Sequence, residues 1–231
     1  MRKRLFFIAV VFLLGNFLWA GDTAVFVDFG FSPDGRTYMF GQYGVQSGTL
    51  RPWADLYIVD VPNNNYVPGG RISYTHDMSV VAGQDGSGAL YRLIARNAAL
   101  ADRYGIGFVF QGQPLYISPN NGANPSGEFI EFRDFEKSAS FRANLSVQLE
   151  GSGTNARSSF FINLERRGND GSVKNYVVGS PQIKRQSVTG YQIRKVIVAP
   201  RDGSIIFVIE MKKQNASGGV DIRYMVEALR L

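Results

Sequence analysis

Thr75-His76-Asp77 is the segment best suited to chemistry, because the only histidine of the chain stands there beside a carboxylate, with Asp85 a few residues on. An imidazole near carboxylates can act as a general base. Neighbouring residues on a strand point to opposite faces, so His76 and Asp77 do not meet if the segment is extended, and a structural role for His76 is the expectation. Paired carboxylates support glycoside hydrolysis, and Asp28, Asp34, Asp55, Asp60, Glu128 and Glu131 are the candidates. A carboxylate on a strand also faces solvent at no cost, so their types alone define no pair. A serine hydrolase needs a nucleophile, a base and an orienter. No GxSxG occurs, and Gly86-Ser87-Gly88 and Gly151-Ser152-Gly153 read as turns. With no cysteine and one histidine, thiol nucleophiles and Cys/His zinc sites are excluded. The Asp-rich turns lack EF-hand ligand spacing. Gly83 to Gly88 lacks the terminal Lys-Ser/Thr of a phosphate-cradling loop, so it reads as a helix cap. No catalytic residue, metal or cofactor is expected.

Aromatic residues give a different signal. Tyr38, Phe40, Tyr43, Trp53, Tyr57, Tyr66, Tyr74 and Tyr116 crowd the first half of the chain. Tyr and Trp combine apolar area with a polar handle, which suits glycan and protein surfaces. Sheet cores use the same residues. Tyr43, Trp53, Tyr57, Tyr74, His76 and Tyr116 are the candidate binding residues.

Strands must carry these side chains. Ala24 to Phe31, Thr37 to Phe40 and Ala54 to Val61 are β-branched or aromatic runs, and the first two are joined by Ser32-Pro33-Asp34-Gly35, a turn of defined chemistry. In Ala54 to Val61, Leu56, Ile58 and Asp60 point one way and Tyr57, Val59 and Val61 the other. The C-terminal part repeats this layout. Val196 to Val198 leads into Pro200-Arg201-Asp202-Gly203, then come Ser204 to Met211 and Val220 to Ala228. Asp60 and Glu227 are internal acids in the third strand of each copy. Strands are also expected at Ile106 to Phe110, Leu115 to Ile117, Glu128 to Phe135, Ser140 to Leu149, Ser158 to Arg166, Val173 to Val178 and from Tyr191. Gly179-Ser180-Pro181 reads as a connector. Leu90, Leu93, Ile94, Asn97, Ala101 and Tyr104 fall at helical spacing, predicting one helix near 88–104 with Gly105 beyond its end. Gln111 to Gly127, dense in Gly, Pro and Asn, is a long polar loop. The fold class is mainly β, built of antiparallel meanders whose sheets are propeller-like or sandwich-like.

Arg2-Lys3-Arg4, the apolar run from Leu5 to Leu14 extended to Trp19, and the Ala20-Gly21 junction form a tripartite signal peptide. The apolar core is shorter than the ~20 residues of a membrane span. Leu18 is large for the position three residues before cleavage, so an uncleaved anchor is the alternative. The expected organisation is a signal at 1–20 and a single exported β-rich domain at 21–231, with no membrane span after cleavage. The chain has 25 Lys+Arg against 19 Asp+Glu. Loss of Arg2, Lys3 and Arg4 leaves 22 against 19. The basic doublets are scattered, without the block of like charge of a polybasic arm, and no nucleic-acid partner is expected. The absence of cysteine rules out a disulfide framework, leaving stability to a hydrophobic core.

The segments GFSPDGRTYMFGQYG (30–44), ADLYIVDVPNNNYVPGG (54–70), YVVGSP (176–181) and YQIRKVIVAPRDGSIIFVIEMK (191–212) occur in order. Over nearly the whole mature chain they resemble a bacterial family of predicted secreted proteins of unknown function. That resemblance implies export and assigns no activity or catalytic residue. FSPDG and ADLYIVDV are also similar to strand pairs of TolB-type propeller repeats, which bears on fold only. Together these readings favour a periplasmic or secreted non-enzymatic protein that binds or organises an envelope partner, a protein or a glycan. An envelope hydrolase of glycans or esters, using carboxylates and His76, is the alternative.

Overall fold

The computed structural model describes residues 21–119 and 128–231; the expected signal at 1–20 and residues 120–127 of the expected polar loop lie outside them. Four strands, β1 (Val25–Phe31), β2 (Thr37–Val45), β3 (Pro52–Asp60) and β4 (Asn65–Thr75), form a first antiparallel sheet in chain order. Two helices follow, α1 (Ser87–Arg96) and α2 (Ala98–Arg103). The short strand β5 (Gln113–Ile117) belongs to a middle sheet with three later strands, β10 (Val188–Val198), β11 (Ile205–Gln214) and β12 (Val220–Leu229), in the order β12-β11-β10-β5. Between them, β6 (Glu128–Asp134), β7 (Ala139–Glu150), β8 (Arg157–Arg167) and β9 (Val173–Gln186) form a third sheet.

Side-chain alternation decides how the sheets stack. On β11, Ile205, Phe207 and Ile209 pack with Ile130, Phe141, Phe160 and Ile162 of the third sheet. Ile206 and Val208 point the other way, toward Phe31, Tyr38, Phe40 and Val59 of the first sheet. The middle sheet is therefore buried on both faces, which is why β11 reads as an unbroken apolar run. The first sheet is covered twice as well. Leu56 and Ile58 pack beneath Leu90, Leu93 and Ala101 of the helices, while Val59 and Val61 face the middle sheet. The layers run helices, first sheet, middle sheet, third sheet. Sheets set around a central channel do not share a middle layer, so the fold takes the sandwich arrangement. Among the described residues no sheet closes into a propeller.

Several local expectations are corrected. The single helix breaks at Asn97, whose side-chain Nδ2 donates back to the Leu93 carbonyl at 2.8 Å, a competition with helical bonding that Asn favours. Ile106 to Phe110 is a turn closed by the Phe110 amide on the Gly107 carbonyl at 2.8 Å. Strand β4 adds to the expected strands, since Asn65-Tyr66-Val67-Pro68-Gly69-Gly70 carries turn residues inside it. As an outer strand paired only with β3, it tolerates them. Gly179-Ser180-Pro181 lies within β9, where the register slips against β8. Only Ser187 separates β9 from β10, with φ +61°, so one residue turns the chain from the third sheet into the middle one. The two Asp-Gly turns of the apparent repeat face each other: a Cβ added at Gly35 would sit 3.0 Å from Asp202 Oδ1.

Candidate functional site

Strands β4, β9 and β12 are outer strands of the first, third and middle sheets, and they converge. Where they splay, they leave a groove of about 630 Å³. Its walls carry Tyr57, Tyr66 and Arg71 from the first sheet, Ser180 and Arg185 from β9, and Lys213, Tyr224 and Glu227 from the middle sheet.

The first-sheet wall is the exposed end of an aromatic stack. Tyr38 and Phe40 have ring centroids 6.2 Å apart, Phe40 and Tyr57 4.7 Å, and Tyr57 and Tyr66 5.5 Å. The Arg71 guanidinium caps this stack 5.1 Å from the Tyr66 ring. Burial raises the phenol pKa of both Tyr57 and Tyr66, with Asp55 beside the first adding to the effect. Tyr224 is pushed up to about 12 by burial and by Glu210. All three hydroxyls stay protonated near neutrality and can donate hydrogen bonds.

Two side-chain amides join the first sheet to β12. Gln42 Oε1 accepts from the Tyr224 amide at 2.8 Å, and its Nε2 donates to Asp55 Oδ2 at 3.1 Å and to the Tyr57 hydroxyl at 3.4 Å. Asn64 Oδ1 accepts from the Ala228 amide at 2.6 Å, while its Nδ2 donates to Glu227 Oε2 at 2.5 Å. Asn64 has φ +46°, a region Asn enters more readily than most residues. An outer strand exposes backbone donors that invite pairing with another chain, and these amides occupy two of them on β12. Glu227 is buried and also accepts from Arg185 at 3.4 Å. Burial pushes its carboxyl above the ordinary value, against the opposing pull of Asn64 and Arg185.

Three groove arginines lie over aromatic rings, but only one is uncommitted. Arg185 sits 4.8 Å from the Phe160 centroid and pairs with Glu227. Arg223 sits 4.1 Å from the Trp53 ring and pairs with Asp22 at 3.2 Å and Asp221 at 3.6 Å. Arg71 has its ring contact with Tyr66 and, among the described residues, no hydrogen bond or carboxylate partner; Lys213 likewise has no ion pair.

Of the candidate binding residues, Tyr57 lines this groove. Tyr43 and Tyr74 pack against the core under the helices. Trp53 is buried beneath Arg223. Tyr116 packs into the core between middle and third sheets. His76 lines a separate cleft of about 800 Å³ with Asp85 and Arg92, near the start of α1. Its Nδ1 accepts from the Met78 amide at 3.0 Å, its ring lies edge-on to Tyr74, and it makes no hydrogen bond to Asp77 or Asp85. The six residues are therefore not one constellation.

The carboxylates are dispersed too. Asp28 is held between β1 and Lys195 at 3.8 Å, Asp34 closes its turn with Ser32, Asp60 holds Asn63, Glu128 accepts from the Ile193 amide at 2.9 Å, and Glu131 pairs with Arg142 at the surface. Asp55 alone of that set lines the groove, opposite Glu227. Glu227 stands out in the sequence as an acid inside an apolar strand. Arg71 and Arg185, 114 positions apart in the chain, carry no comparable signal.

Among the described residues no cluster of potential metal ligands occurs, and no helix is long and apolar enough to cross a membrane. The layered sheets and their open groove define a β-rich chain whose three outer strands frame a mixed-charge cleft. The chain belongs to the family described as Predicted secreted protein (DUF2259), which it matches over residues 39–230. No curated protein and no solved structure matches it.

Proposed function

We propose that this chain is an exported, non-enzymatic binding protein of the cell envelope, working in the periplasm or outside the cell, and that the groove between β4, β9 and β12 is its ligand site. In this reading residues 1–20 are removed and the chain from Gly21 works as one unit. The observation that carries it is the groove itself. Its size is within the range of ligand sites, and it combines tyrosine hydroxyls, amides and a stacked arginine on rigid strands. The partner is an envelope glycan or protein. Glycan and peptide arrays probed with the secreted protein test this, with Ser180→Trp as a variant that fills the groove. Captured ligands should be lost in the variant. Retention of all of them would remove the groove from the proposal.

A hydrolase is the second reading, favoured by Asp55 and Glu227 lining one groove with the Glu227 proton held more tightly than usual. Turnover of glycan or ester substrates, abolished by Glu227→Gln, would establish it and overturn the non-enzymatic reading.

A further inference from the structure

We infer that the groove takes an acidic oligosaccharide, a hydroxyl-rich chain whose carboxylates dock on Arg71 from one wall and Lys213 from the other. This rests on the groove being a ligand site.

The groove carboxylates are committed: Asp55 accepts from Gln42, and Glu227 from Asn64 and Arg185. Arg185 and Arg223 have acidic partners. The charges left for a ligand are Arg71 and Lys213, both exposed and both positive. A guanidinium lying on a ring keeps its planar fork of N–H donors free at the edge, the geometry that receives a carboxylate in bidentate fashion. Tyr66 holds Arg71 in that posture before any ligand arrives.

The remaining surface selects the body of the ligand. Tyr57 and Tyr66 have their ring faces occupied within the stack, so they offer hydroxyl edges and not flat platforms. The Tyr66 hydroxyl has no hydrogen-bond partner among the described residues. Asn65, Ser180 and Gln186 add polar groups around it. Donors and acceptors spread this widely suit a chain with hydroxyls along its length. The Gln42 and Asn64 amides on β12 also block the backbone pairing an extended peptide would use there.

Calorimetry of the secreted protein with tetragalacturonate, neutral cellotetraose and a tetraglutamate peptide tests the inference. Tetragalacturonate should bind most tightly, and more weakly as salt rises. Arg71→Ala should weaken it by about tenfold or more, with Arg71→Lys recovering only part because the bidentate fork is lost. Lys213→Ala should weaken it less. Circular dichroism and melting temperature, unchanged in these surface variants, would separate ligand loss from misfolding. Equal binding of cellotetraose, or an unaffected Arg71→Ala variant, overturns the anionic docking while loss in Ser180→Trp leaves the groove standing. Equal or tighter binding of tetraglutamate overturns the saccharide assignment. Binding that survives Ser180→Trp, or no binding by any of the three probes, overturns the inference; survival in Ser180→Trp also removes the groove as the site.

Discussion

Asn64 shows how much one side chain can hold. Its amide satisfies the Ala228 backbone and Glu227 together, joining a first-sheet turn to the edge of the middle sheet. Asn64→Gly keeps the positive φ but deletes the amide, leaving buried groups without partners. A loss of about 1–3 kcal/mol in urea unfolding is expected, and an unchanged midpoint would show that water replaces the amide. Glu227 gives the matching pH prediction. Burial raises its carboxyl above the ordinary 4.5, so the folded chain binds that proton more tightly than the unfolded chain. Its stabilising contribution is full below 4.5 and fades as pH rises through the raised value, so stability falls across that window. Half-buried Asp28 and Glu128, whose carboxyls desolvation also raises, act in the same direction. Glu227→Gln cannot ionise, and its unfolding free energy should change less with pH from 4.5 toward neutrality. A slope equal to that of the parent would remove Glu227 as a contributor.

Two junctions govern the elements. Helix α1 approaches the first sheet so closely that a Cβ on Gly86 would lie 2.4 Å from the Gly44 carbonyl oxygen. Gly86→Ala should lift the helix from its seat and lower the melting temperature, whereas Gly88→Ala, which meets open space, should leave it unchanged or raise it through better helix propensity. Ser187 turns the chain between sheets at φ +61°. Ser187→Val places a β-branched residue in the left-handed region and should cost about 1–3 kcal/mol, while Ser187→Gly should be better tolerated. Equal stability of the two variants would show that the corner adjusts its backbone. Neither junction was legible in the sequence. Gly86 and Ser187 lie among turn-forming residues that look alike until their neighbours across the fold are known.

At the scale of the whole molecule, β11 is the common support. Phe207 is fully buried toward the third sheet and Val208 nearly so toward the first. Phe207→Ala should cost about 3–5 kcal/mol. Because both cores share this strand, amide exchange should quicken in the first sheet as well as the third. Acceleration confined to the third sheet would mean that the layers unfold separately. Most of the strands were legible here: β1, β2, β3, β5, β6, β7, β8, β10, β11 and β12 each contain a run expected from alternation and turn residues. The stacking was not, because a β-meander in sequence is compatible with either a blade or a layer.

The sequence by itself determined the β class, the membership of the secreted family and the scarcity of catalytic groups, since composition, local alternation and ordered motifs depend only on near neighbours along the chain. Tertiary structure alone decided that Arg71 lies free beside Tyr66 while Arg185 is spent on Glu227, and that three strand edges open onto one groove. The groove brings together residues more than a hundred positions apart, such as Asn64 with Glu227 and Gln42 with Tyr224, through packing of separate sheets. No periodicity within one strand records which other edge it will meet.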